Sequence, residues 1–476
     1  MIRFLPQTGL LLTAWSFSFA PCAGAQDLDA LRQLADPGAA YAAKRIGSTL
    51  LVAGRSLESV LAEEFAPETQ LDLFLAPFLS PQIDLEAGEV QMEILGARWR
   101  AVLRPGFGVT LLRDGPEAET LQRLPELPAF PEGLAEEPWP VGDAPAESDE
   151  EQQAFDREAL HEVLERHIAP NREEGIEAHR RTRALLVLHQ GRLVGERYGP
   201  GFGPDTPLAG WSMTKSVLSA LIGIRIKQEG LELEQTRLLP EWKEADDLRS
   251  QISLLDLLRM EPGLRWEESY TDANGDPARM LFGAPDTAAL ASQQPAVDEP
   301  GATWNYSSGT SNILSQVLRQ SFEHDVDYWK FPREALFGPL GMRSAVFELD
   351  PSGTFVGSSF LWATARDWAR FGLLYAQDGV WQGERIFPEG WVAATVEPAP
   401  ATRRGQYGLH WWLNHGKDGR RRFAQLPEDL YWADGFEGQV LAIFPSQELI
   451  VLRLGCTKDD RLFRREDLLE DVFECF

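Results

Sequence analysis

Trp211-Ser212-Met213-Thr214-Lys215-Ser216-Val217-Leu218-Ser219-Ala220-Leu221-Ile222-Gly223, running on to Gly230, is the stretch on which the reading of this chain turns. Its strongly apolar run predicts a helix over 212–229 that stops at Gly230. Residues three apart share a helix face, so the Ser212 hydroxyl and the Lys215 amine meet one turn apart. A hydroxyl is a weak nucleophile until a base removes its proton. An amine serves as that base when burial or neighbouring charge lowers its pKa, which lysine permits and arginine does not. The helix start adds unpaired N–H groups and a positive dipole end beside the reacting oxygen. Serine is also a common helix cap, so this motif alone decides nothing.

Two further elements give it context. Trp304-Asn305-Tyr306-Ser307-Ser308-Gly309, preceded by Pro300-Gly301, supplies a phenol; beside a lysine amine it would exist partly as phenolate, take the serine proton and hand it to a leaving nitrogen or oxygen. Trp432-Ala433-Asp434-Gly435-Phe436-Glu437-Gly438-Gln439 leads into a late strand, where glycines let backbone N–H groups approach and hold an oxyanion. Taken singly, these are a core tyrosine and a turn.

Working outward, Ala184–Leu188 turns at Gln190-Gly191 into Leu193-Val194, a predicted hairpin. Val440–Phe444 and Leu449–Leu452 flank Pro445-Ser446-Gln447 as a second. Between them, 231–350 reads as mainly helical with Pro/Gly punctuation. Hairpin, helical section, hairpin and final helix predict an antiparallel sheet with strands from both chain ends, flanked by helices, plus a helical subdomain.

Residues 26–114 predict a small additional N-terminal α+β domain, with strands at Ser48–Val52, Val90–Leu95 and Trp99–Leu103. From 115 to 156, prolines interleaved with Glu and Asp predict a stiff, extended linker rather than a packed element. A helix is predicted over Ala159–His167, and 157–476 form the main domain. Residues 1–25 read as a signal peptide, with Arg3, an apolar run to Ala20 and Ala23-Gly24-Ala25 as cleavage site, which predicts a secreted or periplasmic protein. No later run is long and apolar enough to span a membrane.

A formal charge of −28, from 45 Lys+Arg against 73 Asp+Glu, excludes a nucleic-acid partner, which needs clustered cations. Cys456 and Cys475 are compatible with one bridge or with two buried thiols. Neither implies a metal. His161, Glu162 and His167 lack the i, i+4 spacing of a zinc helix.

Together, in this order, the three elements resemble the Ser-x-x-Lys, Tyr-x-Asn and Lys-Thr-Gly boxes of the penicillin-recognising serine enzymes. The resemblance is closest to the class C β-lactamase-related group, which includes D,D-peptidases, esterases and 6-aminohexanoate-dimer hydrolases. Leu254–Leu258, Leu336–Met342 and Leu452–Gly455 are also similar, and the likeness covers roughly 180–476. It implies a β-lactamase-like fold, Ser212 as acylated nucleophile, Lys215 and Tyr306 as base and then acid, and an oxyanion hole from the N–H groups of Ser212 and Phe436. It implies no metal or cofactor. Ser308 stands where such β-lactamases carry Asn, and Ala433, two residues before the box glycine Gly435, where they carry Lys or relatives carry His. Losing that cation points away from β-lactams, toward a small-molecule amide or ester. Tyr270 is a further candidate for substrate contact. A true β-lactamase or D,D-peptidase is the rival enzyme reading, and a non-catalytic binding module the rival outside enzymes.

Overall fold

The computed structural model describes residues 25–113, 121–145, 155–169, 180–244, 246–270, 272–459 and 461–476. The proposed signal segment lies outside them, apart from its last residue. Among the described residues no helix is long and apolar enough to cross a membrane.

The amino-terminal unit is a 27-residue helix, Ala25–Leu51, laid across a four-stranded antiparallel sheet in the order β1 (Gln82–Asp84), β2 (Glu89–Ile94), β3 (Ala97–Arg104), β4 (Gly108–Arg113). Ser48–Val52 reads as a strand in sequence, but 48–51 are the helix's last residues. The buried Ala35, Ala39, Ala42, Ala43 and Ile46 recur every three or four residues, so the helical period continues through the β-branched stretch. Thr49 also satisfies its hydroxyl within the helix, donating to the Arg45 carbonyl at 2.7 Å.

The main unit centres on a six-stranded antiparallel sheet. After β5 (Thr182–His189) and β6 (Arg192–Tyr198) come the short pieces β7 (Leu208–Ala209), β8 (Val346–Phe347), β9 (Leu361–Ala363), β10 (Val380–Trp381) and β11 (Glu384–Arg385). The last four strands are β12 (Trp412–Leu413), β13 (Tyr431–Gly435), β14 (Gln439–Phe444) and β15 (Leu449–Gly455). The sheet order is β12-β13-β14-β15-β5-β6, so chain ends pair at the centre, Val451 opposite Val187. Positive φ at Gln190 and Gly191 closes the β5–β6 hairpin in the tight turn its twist favours.

Both faces of this sheet are buried, which explains runs that are apolar rather than alternating. Ala184, Leu186 and Leu188 enter the larger core, Leu185 and Val187 a second core. That second core is capped by helices Arg157–Ile168 and Arg465–Phe473 through Leu160, Leu164, Leu468 and Val472. Across the other face packs Ala365–Ala376, and Thr214–Lys227, buried from Thr214 through Ile224, lies against the helix Ser308–Gln320. The section 231–350 is helical as predicted, with helices Leu254–Leu258, Asp276–Gly283, Thr287–Ser292, Ser308–Gln320 and Asp325–Pro332.

The composition of 115–156 predicts an extended linker, yet its described part, 121–145, is a packed strap. Trp139 is buried and its Nε1 donates to the Gly191 carbonyl at 3.0 Å. The buried Arg370 guanidinium donates to the Pro140 carbonyl at 2.8 Å and to Asp143 at 2.7 Å, and Arg343 also pairs with Asp143. One acidic residue of the strap, Asp143, is thus held by arginines about two hundred residues away. Cys456 and Cys475 are buried free thiols, not a bridge.

Candidate active site

The turn that presents Ser212 is built by close backbone approach. Gly210 lies against the Trp368 ring, where a Cβ would stand 2.1 Å from a ring carbon. A Cβ on Gly435 would stand 2.3 Å from the Gly210 carbonyl oxygen. These two glycines bring the end of β13 onto the turn Trp211–Met213, a 3-10 turn that feeds the helix Thr214–Lys227. Phe436 thus follows directly beside Ser212, and the Trp211 and Phe436 rings meet edge-on at 5.5 Å.

Lys215 is 1% exposed, and its Nζ donates to Ser212 Oγ at 2.9 Å, to Ser308 Oγ at 3.0 Å and to the Ser358 carbonyl at 3.0 Å. Burial pushes its pKa down to about 8, against the opposing pull of the Glu268 carboxylate. Tyr306 closes the set: its phenol faces the Ser212 side chain, and its ring centroid lies 5.1 Å from Lys215 Nζ. It precedes Ser307, the cap of helix Ser308–Gln320, and is held by Tyr407 and Trp412 at 5.8 and 5.3 Å. Burial, and then the Glu268 charge, drive the Tyr306 pKa up, so its phenol is neutral at ordinary pH rather than the partial phenolate that its pairing with lysine suggests.

The predicted substrate contacts are placed differently. Tyr270 is 40% exposed at the mouth, stacked on Phe436 at 5.4 Å, with its hydroxyl 2.9 Å from Glu268 and 3.3 Å from Ser308. Ser308 is fully buried and belongs to the hydrogen-bond network behind Lys215. Ala433 is buried in the core shared with Trp211 and Tyr431. The next residue, Asp434, pairs with Arg465 at 2.7 Å.

Sequence reasoning misses Glu268. Its carboxylate accepts from Ser308 Oγ, the Ser308 N–H, Tyr270 OH and Trp266 Nε1, at 2.5 to 2.9 Å. The signal was the spacing Trp266, Glu268, Tyr270, which sets a carboxylate between two aromatic donors that both bond it. His410 is also buried here, Nε2 3.0 Å from Ser311 Oγ and Nδ1 2.8 Å from the Leu258 carbonyl. Burial lowers its pKa to about 3, so it is neutral.

Among the described residues the one grouping with metal-ligand spacing is Glu64, Glu437 and Cys456. Arg45, Arg55 and Arg183 occupy its carboxylates, so it is an ion-pair cluster. The decoy His167 pairs with Asp471 at 2.6 Å, and His161 with Arg197.

Fold and site together define a hydrolase of β-lactamase-like architecture. Residues 163–469 match the Beta-lactamase family model, and the chain belongs to that family. It is 23% identical over 309 residues to the 6-aminohexanoate-dimer hydrolase of Paenarthrobacter ureafaciens, covering 58% of this chain and 73% of the relative. Two solved structures share the fold. EstCE1, a hydrolase with promiscuous acyltransferase activity, is 18% identical with a TM-score of 0.53, over 67% of this chain and 99% of its own. A penicillin-binding protein homologue from Caulobacter crescentus is 18% identical with a TM-score of 0.51, over 67% and 97%. Membership of a hydrolase family implies a small-molecule substrate. The family match begins after the amino-terminal unit and the strap.

Proposed function

We propose that this chain is an exported serine hydrolase that acts through an acyl-enzyme on an uncharged amide or ester. One observation carries the reading: a buried amine with pKa near 8 stands 2.9 Å from a serine hydroxyl, with a neutral phenol facing the same pair. The unprotonated Lys215 takes the Ser212 proton as Oγ attacks the carbonyl. The backbone N–H groups of Ser212 and Phe436 hold the oxyanion. Tyr306 gives its proton to the leaving nitrogen or oxygen and regains one from Lys215, leaving the acyl group on Ser212. Water, deprotonated by the same groups, then releases the acid.

The acyl side of the substrate meets an aromatic mouth of Tyr270, Phe436 and Trp211. Where a β-lactamase of this type sets a cation for the substrate carboxylate, this chain has buried Ala433, and the charges acting on Tyr306 are the carboxylates Glu268 and Asp434. Both features disfavour an anionic β-lactam.

Turnover of p-nitrophenyl esters, compared with nitrocefin, tests the reading. A fluorophosphonate should add one adduct to the peptide carrying Ser212, and Ser212→Ala should lose adduct and turnover while staying folded. Nitrocefin as the better substrate would restore the β-lactamase reading. An unlabelled Ser212 would leave a binding module.

A further inference from the structure

The amino-terminal helix reaches the turn that carries Ser212 most directly through Arg45. Arg45, 5% exposed, donates to Glu437 at 2.5 Å, while its guanidinium lies 4.9 Å from the centroid of the Trp211 ring. Trp211 immediately precedes Ser212, and Glu437 immediately follows Phe436. These neighbours of the two oxyanion donors share a further property: Trp211 has φ +48° and Glu437 φ +63°. A left-handed backbone at bulky residues persists only where surrounding structure holds it. Both are held here from the side, by the same cation. Glu437 is buried and its charge has no water to rely on, so the guanidinium is what allows it to sit at this turn. Arg45 is fixed in turn by Glu64 of its own unit, which also bonds Arg55 and Arg183. The anchor therefore spans both units and ends at the backbone that faces the substrate oxygen.

We infer that Arg45 is a positioning residue for the oxyanion hole, and that the amino-terminal unit is thereby a working part of the active site. The inference rests on the acyl-enzyme reading. It predicts that the unit matters more to the transition state than to substrate binding, because Arg45 reaches the aromatic mouth only through the Trp211 ring and through Glu437 beside Phe436, and touches neither Tyr270 nor Phe436.

The test compares Arg45→Met, Arg45→Lys and Glu437→Gln with Lys44→Met in the full chain. Lys44 is the adjacent interface residue, whose ion pair is with Glu348 at 2.8 Å and whose amine lies over the Phe360 ring rather than that of Trp211. Ester kinetics are read beside the affinity for a phenylboronic acid, whose tetrahedral adduct puts an oxygen in the oxyanion position. Arg45→Met is expected to lower kcat by about 10²-fold, the cost of one misplaced oxyanion donor, to weaken the boronate by a like factor, and to leave KM little changed. Glu437→Gln should follow it, Arg45→Lys should recover part of the loss, and Lys44→Met should lose thermal stability alone. If Arg45→Met folds and keeps its kcat, or loses no more than Lys44→Met, or changes only KM, the inference falls. Should Arg45→Met fail to fold, Glu437→Gln decides by the same two readouts. A wild-type chain with neither turnover nor fluorophosphonate labelling would sink the acyl-enzyme reading itself.

Discussion

Glu268 holds Ser308 at two points, accepting its hydroxyl on Oε1 at 2.5 Å and its backbone N–H on Oε2 at 2.9 Å. Ser308 is also one of three groups that fix the Lys215 amine, so a carboxylate outside the three sequence boxes is linked through one hydroxyl to the proposed base. Its field favours the ammonium form and works against burial. Glu268→Gln should therefore lower the Lys215 pKa further and move the acid limb of kcat/KM to lower pH, by about one unit. The pH–rate profile of the variant on a p-nitrophenyl ester measures this directly. A limb that stayed in place, or moved upward, would remove Glu268 from the control of the base.

The wild-type profile follows from the same group. In the proposed mechanism Lys215 must be neutral to accept the proton, and its pKa is pushed down to about 8, so activity should be carried by the deprotonated fraction. kcat/KM should rise about tenfold per pH unit below that value and level above it. Tyr306 adds no descending limb near neutrality, since its pKa is raised above that of an ordinary phenol. Lys215→Arg, which cannot deprotonate, should lose turnover at every pH while keeping the fold. A bell centred near neutrality, or an active arginine variant, would require a different base.

How much of this was legible in sequence depends on how local each feature is. The hairpin at Gln190-Gly191, the apolar helix after Ser212 and the two-ended sheet are written in short-range patterns and appear as read. Ser212, Lys215 and Tyr306 announce themselves by spacing and order, and the fold brings them together. What was hidden is long-range. Residues 48–51 look like a strand because the helical period that claims them lies upstream. The strap at 121–145 looks like a linker because Arg343 and Arg370 are remote. Ser308 looks like a substrate contact until Glu268 is seen behind it. Arg45 carries no motif and gains meaning only when Trp211 and Glu437 are placed beside it.

The approach of Gly435 to Gly210 makes a sharp test of the oxyanion geometry. A methyl at 435 would stand 2.3 Å from the Gly210 carbonyl oxygen and 2.8 Å from the Gln439 Cβ. Neither partner is the flexible tip of a side chain, so Gly435→Ala must displace β13 from the catalytic turn. The expected loss is about 10²-fold or more in kcat, with slower fluorophosphonate labelling. Labelling at the wild-type rate would show that Phe436 does not serve as a donor.

The strap should matter to stability and not to chemistry. Arg370 is 1% exposed and bonds the Pro140 and Gly142 carbonyls, Asp143 and Asp367, so one cation ties 140–143 to the helix Ala365–Ala376. Arg370→Met fills most of the volume but strands Asp367, itself buried, without its counter-charge. Breaking a buried pair from one side costs about 3–5 kcal/mol, a large share of a domain's stability. The urea midpoint should move to lower concentration by that free energy divided by the m-value, and limited proteolysis should cut within 121–145 first. Below the unfolding transition, kcat and KM for an ester should stay near wild type, because no strap residue touches Ser212, Lys215 or Tyr306. Lost turnover in a fully folded Arg370→Met protein would mean that the strap shapes the active site and is not a brace alone.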